Sequence, residues 1–186
     1  TDSNSNWSYT VANDTPLADG SIAITATTTE TTSDLQRTAI PVAAPGRSMH
    51  EQRNKGAFAA LKDDGSVVTW GNPGTGGDRS SVADQLSSGV NQIFSSREAF
   101  AALKDDGSVV SWGNSAAGGD RSSVADQLSS GVNQIFSTKY AFAAVKDDGS
   151  VVTWGNSEYG GDNSSVDLEL SSGVNQIFST GYAFAA

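Results

Sequence analysis

The feature that most constrains this chain is a period. The tetrapeptide Ala-Phe-Ala-Ala begins at Ala57, Ala99, Ala141 and Ala183, a spacing of 42 residues. A period of this length marks an array of small supersecondary units, each of which needs its neighbours to bury its faces. In the first copy, Ala57 to Lys62 is predicted as a strand, Asp63-Asp64-Gly65 as a turn and Ser66 to Trp70 as the return strand. Gly71 to Ser88 then forms a connection, and Gly89 to Ser95 a further strand. The turn has a chemical reason: Asp tolerates unusual backbone angles and Gly65 supplies the positive φ of a three-residue hairpin with a bulge. Apolar residues occupy both faces of the first strand, Phe58 and Ala60 on one, Ala57, Ala59 and Leu61 on the other. Such a strand suits a sheet pressed between two others, with small Ala side chains allowing close approach.

Trp70, Trp112 and Trp154 end the return strands and read as packing anchors; stacking on carbohydrate is the alternative. In the connection, Ser81-Val82-Ala83-Asp84-Gln85-Leu86 predicts one short helical turn capped by a Ser. The repeated Asp pairs (Asp63-Asp64, Asp105-Asp106, Asp147-Asp148) lack the alternating spacing of a calcium loop, so hairpin chemistry is the better account. Gly76-Gly77-Asp78 occurs once per repeat, not every nine residues as in calcium-binding nonapeptides.

The run from Ala60 to Gly71, followed by Gly77 and by Ser88-Gly89-Val90-Asn91-Gln92-Ile93, recurs with its core at Ala102 to Gly113 and Ala144 to Gly155. It resembles the propeller family named after the regulator of chromosome condensation. The resemblance implies a β-propeller with blades around an axis. The unit is shorter than that family's usual one, closer to the three-stranded blades of its bacterial β-lactamase inhibitor propeller. Three full copies (57–98, 99–140 and 141–182) and the start of a fourth at 183 fall short of the family's ring of about seven blades. An open arc with exposed edge strands is therefore expected, and exposed edges favour self-association.

Residues 1–45 are written differently. Trp7-Ser8-Tyr9-Thr10-Val11 alternates as a half-buried strand does, and Ser21-Ile22-Ala23-Ile24-Thr25-Ala26 is a second, β-branched run. With Leu17-Ala18-Asp19-Gly20 between them, these segments look like the closing half of the immunoglobulin-like repeats of large bacterial surface adhesins. That resemblance implies calcium between domains in some relatives, with Asp14 and Asp19 as candidate ligands; turn formation is the competing role of both. Residues 46–56 are read as a linker. The expected fold class is all-β: a partial β-propeller of three-stranded blades in an open arc, preceded by a partial immunoglobulin-like β-sandwich segment.

The 186 residues carry a formal net charge of -10 and no Cys. That balance repels phosphate backbones, so nucleic acid is not an expected partner. No apolar stretch approaches the roughly 20 residues of a bilayer-spanning helix. With Thr1 in place of an initiating Met, the chain is expected to be a fragment of a longer secreted or cell-surface protein. Catalysis is not expected: His50 is the only His, it lies in the linker without an identifiable partner, and the carboxylate pairs repeat identically. No cofactor is expected.

The first two copies differ mainly at 73–75 against 115–117 and at 96–98 against 138–140; the third has Ser157-Glu158-Tyr159 and Thr180-Gly181-Tyr182. Following chain direction, both variable segments fall at one end of each blade, opposite the Asp-Asp-Gly turn. Loops tolerate change, which is one account. The other is a composite recognition face contacted through Arg97, Glu98, Lys139, Tyr140, Glu158, Tyr159 and Tyr182, since aromatic and Arg residues dominate interface energetics. The expected function is a non-catalytic spacer and interaction module of a bacterial adhesin-like protein, binding a protein or surface ligand outside the cell. The alternative is a dedicated protein-binding propeller like the β-lactamase inhibitor. The acidic charge argues against a guanine-nucleotide exchange role.

Overall fold

The computed structural model describes residues 54–186. The strands and turns predicted for residues 1–45, the candidate calcium ligands Asp14 and Asp19, and His50 lie outside the described residues. The described residues are all-β apart from short 3-10 turns. The strands are β1 (Ala57–Leu61), β2 (Val67–Gly71), β3 (Val90–Ser95), β4 (Ala99–Lys104), β5 (Val109–Gly113), β6 (Val132–Ser137), β7 (Ala141–Lys146), β8 (Val151–Gly155), β9 (Phe178–Ser179) and β10 (Phe184–Ala185). They form antiparallel sheets β3-β4-β5 and β6-β7-β8, with two-stranded sheets β1-β2 and β9-β10. The arrangement is that of a partial propeller: small antiparallel blades repeated face against face.

The blades are out of phase with the sequence copies. β3 ends the first 42-residue copy, yet it pairs with β4 of the second, Phe94 opposite Ala101. The reason is connection length: β3 and β4 are joined by the short turn 96–98, whereas the long connection 72–89 separates β2 from β3. A tight turn holds its two strands together; a long connection can step to the next sheet.

The two faces read from the sequence are the two faces of the blade. Ala99, Ala101 and Leu103 of β4 pack with Val109 against Phe142, Ala144, Val152 and Trp154 of the following blade. One blade earlier, Ala57 and Val67 meet Phe100, Ala102, Val110 and Trp112. Each Trp stacks on the Phe beside it on the paired strand, Phe100 on Trp112 and Phe142 on Trp154, both at 5.3 Å between ring centroids. The Nε1–H of Trp112 donates to the Gly76 carbonyl at 3.0 Å and that of Trp154 to the Gly118 carbonyl at 3.1 Å, each reaching back to the preceding copy. Trp70, in the first copy, is 51% exposed where Trp112 is 2% exposed. The anchoring role therefore holds for the two tryptophans that have a preceding blade among the described residues.

The connection clamps the return strand. Leu86 and Leu128 are buried, and their carbonyls accept the Val67 and Val109 amides. The predicted helical turn is present as a 3-10 turn at Ser80–Val82, but no Ser caps it. The cap position is Arg79, whose side chain makes no capping bond, and one residue earlier Asp78 Oδ1 accepts the Ser80 amide at 2.8 Å. A second 3-10 turn, Pro73–Thr75, is opened by Asn72, whose side chain accepts the Gly74 amide. At the hairpin tip, Asp64 Oδ1 accepts both the amide and the hydroxyl of Ser66, and Gly65 adopts φ 73°.

Candidate interaction face

The two variable segments meet. The turn 96–98 opens with a hydroxyl residue, Ser96, whose Oγ accepts the Ala99 amide and donates to the Ala117 carbonyl at 2.9 Å. Thr138 repeats this in the next blade, bonding the Ala141 amide and the Tyr159 carbonyl at 2.8 Å. Asn54, one period before Ser96, accepts the Ala57 amide and donates to the Thr75 carbonyl. These side chains tie the turn between strands to the loop after the return strand, and so fix the two variable segments against each other. The residues 54–56 at the end of the predicted linker are bound into the array by the same contacts. A small polar residue three positions before each Ala-Phe pair was the sequence signal for this role.

A second set of contacts runs across the blades. The Lys55 amide donates to the Arg97 carbonyl, Arg97 to Lys139, and Lys139 to Gly181. One backbone hydrogen bond per blade thus stitches the turns into a row, with Lys, Arg, Lys and Gly at successive positions.

On this row stand most of the residues singled out by sequence. Tyr140 and Tyr159 meet edge to face at 4.8 Å between centroids, and Tyr159 stacks on Tyr182 at 5.4 Å. Lys139 Nζ lies 5.5 Å from the ring centroids of both Tyr140 and Tyr182. Glu98 is not part of this group. Its side chain accepts from Lys55 Nζ and from Asn114 Nδ2, and the Lys55 hydrogen bond, reinforced by Asn114 and the nearby charges, holds its carboxyl below the usual range. Arg97 sits between Lys55 and Lys139 in the row. Glu158 is exposed beside Tyr159, its backbone amide held by Asn156 Oδ1.

The opposite end of each blade carries the Asp-Asp-Gly turns. Between two of them lies an open polar cleft lined by Asn91, Lys104, Asp105, Asp106, Asn133 and Asp147. Asn91 Nδ2 reaches Asp105 Oδ1 at 3.3 Å. Among the described residues, no group of three or more His, Cys, Asp or Glu side chains is placed to hold a metal ion. None of the helices there is long and apolar enough to cross a membrane.

No protein-family model matches the sequence, and no curated protein matches it. Among solved structures, the chain is similar to the crystal structure of human WBSCR16, with 24% identity and a TM-score of 0.42. The match covers 66% of this chain and 37% of that one, so the chain spans well under half of that protein's length.

Proposed function

We propose that this chain is a non-catalytic interaction and spacer segment built of blades of the regulator-of-chromosome-condensation type. In this reading it belongs to a larger secreted or cell-surface bacterial protein of adhesin type. The blades act as a rigid scaffold, and the end that carries the variable turns is the binding face. The observation that carries this reading is the convergence of Tyr140, Tyr159 and Tyr182 around Lys139. Three aromatic side chains from three separate segments are gathered at this end; Tyr182 is 62% exposed, while Tyr140 and Tyr159 are half-buried, Tyr140 against the core. Tyr supplies large, stiff, amphipathic contact area at low entropic cost, which suits recognition. Glu98, singled out with these residues, is committed to Lys55 and Asn114, which supports a binding role over an acid-base one for it.

The test is a binding screen with the chain immobilised on beads and a panel of purified extracellular and bacterial surface proteins. At least one saturable partner is expected, and it is lost when Tyr140→Ala and Tyr159→Ala are combined while the circular dichroism spectrum is kept. A partner held equally by the double variant would remove the face from this account.

A further inference from the structure

The row of turns carries a charge opposite to that of the protein. The chain as a whole has a net charge of -10, yet Lys55, Arg97 and Lys139 occupy successive positions of the stitched row. Glu98 offsets Lys55. Among the described residues neither Arg97 nor Lys139 has a carboxylate in ion-pair reach. Lys139 is nonetheless not loose: its ammonium is bracketed by the Tyr140 and Tyr182 rings, an attraction worth about 0.5–1 kcal/mol at an exposed site. A cation held in place in this way loses little further freedom on binding. Around it, the hydroxyls of Tyr140, Tyr159 and Tyr182 have no hydrogen-bond partner among the described residues. Among the described residues, this end of the array is therefore a surface of donors without partners beside aromatic rings.

From this we infer that the face takes an acidic, extended segment of a partner protein. Its carboxylates lie on Arg97 and Lys139, and one of its apolar or aromatic side chains packs on the exposed ring of Tyr182. The inference rests on the binding-face reading above and names its partner chemistry. Successive turns joined by one backbone hydrogen bond lie about 5 Å apart, and same-face side chains of an extended peptide recur every ~7 Å, within the reach of flexible Lys and Arg side chains. A polyanion such as nucleic acid or a sulfated glycan fits worse. Its affinity comes from counterion release summed over many cations, and among the described residues this row offers only Arg97 and Lys139 outside an ion pair. The remaining affinity must come from aromatic contact. Glu158 stands exposed beside Tyr159, so the ligand's carboxylates are held on the Arg97 and Lys139 side of the face, and the Asp-rich turns lie a strand length away, roughly 17–20 Å. That exceeds the Debye length of ~10 Å at moderate ionic strength.

The experiment is fluorescence anisotropy on the full chain with three probes: a short labelled peptide in which Glu alternates with Ser around a central Tyr, its counterpart with Gln for Glu, and a heparin-derived oligosaccharide. Saturable binding of the Glu peptide is expected, with the Gln peptide at least about tenfold weaker. Combining Arg97→Gln and Lys139→Gln is expected to weaken the Glu peptide by a similar factor. Combining Lys62→Gln and Lys146→Gln, at the opposite end, is expected to leave it unchanged. Equal binding of the Glu and Gln peptides, binding of the oligosaccharide alone, or absence of binding overturns the inference; the first comparison needs no variant and so does not depend on variant folding. Equal affinity for the two peptides, abolished by Tyr182→Ala, would keep the face and reject only the acidic partner.

Discussion

Trp112 and the Gly76 carbonyl are 36 positions apart in sequence and joined by a 3.0 Å hydrogen bond from one blade to the loop of the blade before. The contact does two things at once: it satisfies a buried indole N–H and it fixes the distance between blades. Because Gly76 is itself buried, removing the donor leaves its carbonyl without a partner. Trp112→Phe is expected to cost about 1–3 kcal/mol in a urea melt. Trp70→Phe, at a ring half exposed to solvent, is expected to stay within about 0.5 kcal/mol of the parent.

Gly118 shows how closely the blades approach. It adopts φ 92°, and a Cβ placed on it would lie 2.5 Å from Cδ2 of Phe142 in the next blade. Gly173 has a similar φ of 80° but open space around it. Gly118→Ala therefore adds a clash to the backbone strain, and Gly173→Ala adds strain alone, about 1 kcal/mol. Thermal melts should rank Gly118→Ala as clearly the more damaging of the two.

Ser111 marks a place where the repeat departs from its own pattern. Its Oγ is the one buried side-chain polar atom without a partner among the described residues. At the equivalent position of the first copy, Thr69 Oγ1 donates to the Gly77 carbonyl at 2.9 Å. Ser111→Thr should orient the hydroxyl the same way and stabilise the chain by about 0.5–1.5 kcal/mol, read as a higher denaturation midpoint. An unchanged or lower midpoint would count against this account of the position.

The hairpin tips predict a pH dependence. In Asp64, Asp106 and Asp148 the hydroxyl and amide of the Ser two residues on hold the carboxyl below its usual value, Lys62 adding to the effect at Asp64. A depressed folded-state pKa contributes stability above the unfolded value and loses it as pH falls through the folded one. Stability should therefore be level from neutral pH down to roughly pH 4 and fall below that. Replacing all three by Asn should flatten the acid limb of a plot of midpoint against pH.

Much of this was legible in the sequence because the repeat states its physics several times. Two-sided apolar strands at a fixed period mean stacked sheets, and Phe142 and Trp154 lie where that reasoning put them. The hairpin chemistry of Asp64 and Gly65 was also readable, since it is local. What could not be read was the phase between copies and blades. Whether β3 belongs with β2 or β4 depends on which connection is tight, and a period looks the same from any starting point. Ser96 and Thr138 were passed over because the small polar residue at this position of the period changes identity from copy to copy inside a variable turn, and its bonds are to a loop 21 positions away. Glu98 was singled out as a surface contact, but its partners Lys55 and Asn114 come from the predicted linker and from the second copy. Asp78 was set aside with the calcium motifs, although its carboxylate accepts the first amide of the turn at Ser80.

The account depends most on the blades being held by one another. Trp154 belongs to the sheet β6-β7-β8, but it packs with Ala99, Ala101 and Leu103 of the sheet before. Hydrogen exchange of the Trp154→Ala variant tests this directly. Amides of β4 and β5 should lose protection together with those of β7 and β8. Loss of protection confined to β7 and β8, with β4 and β5 unchanged, would contradict it.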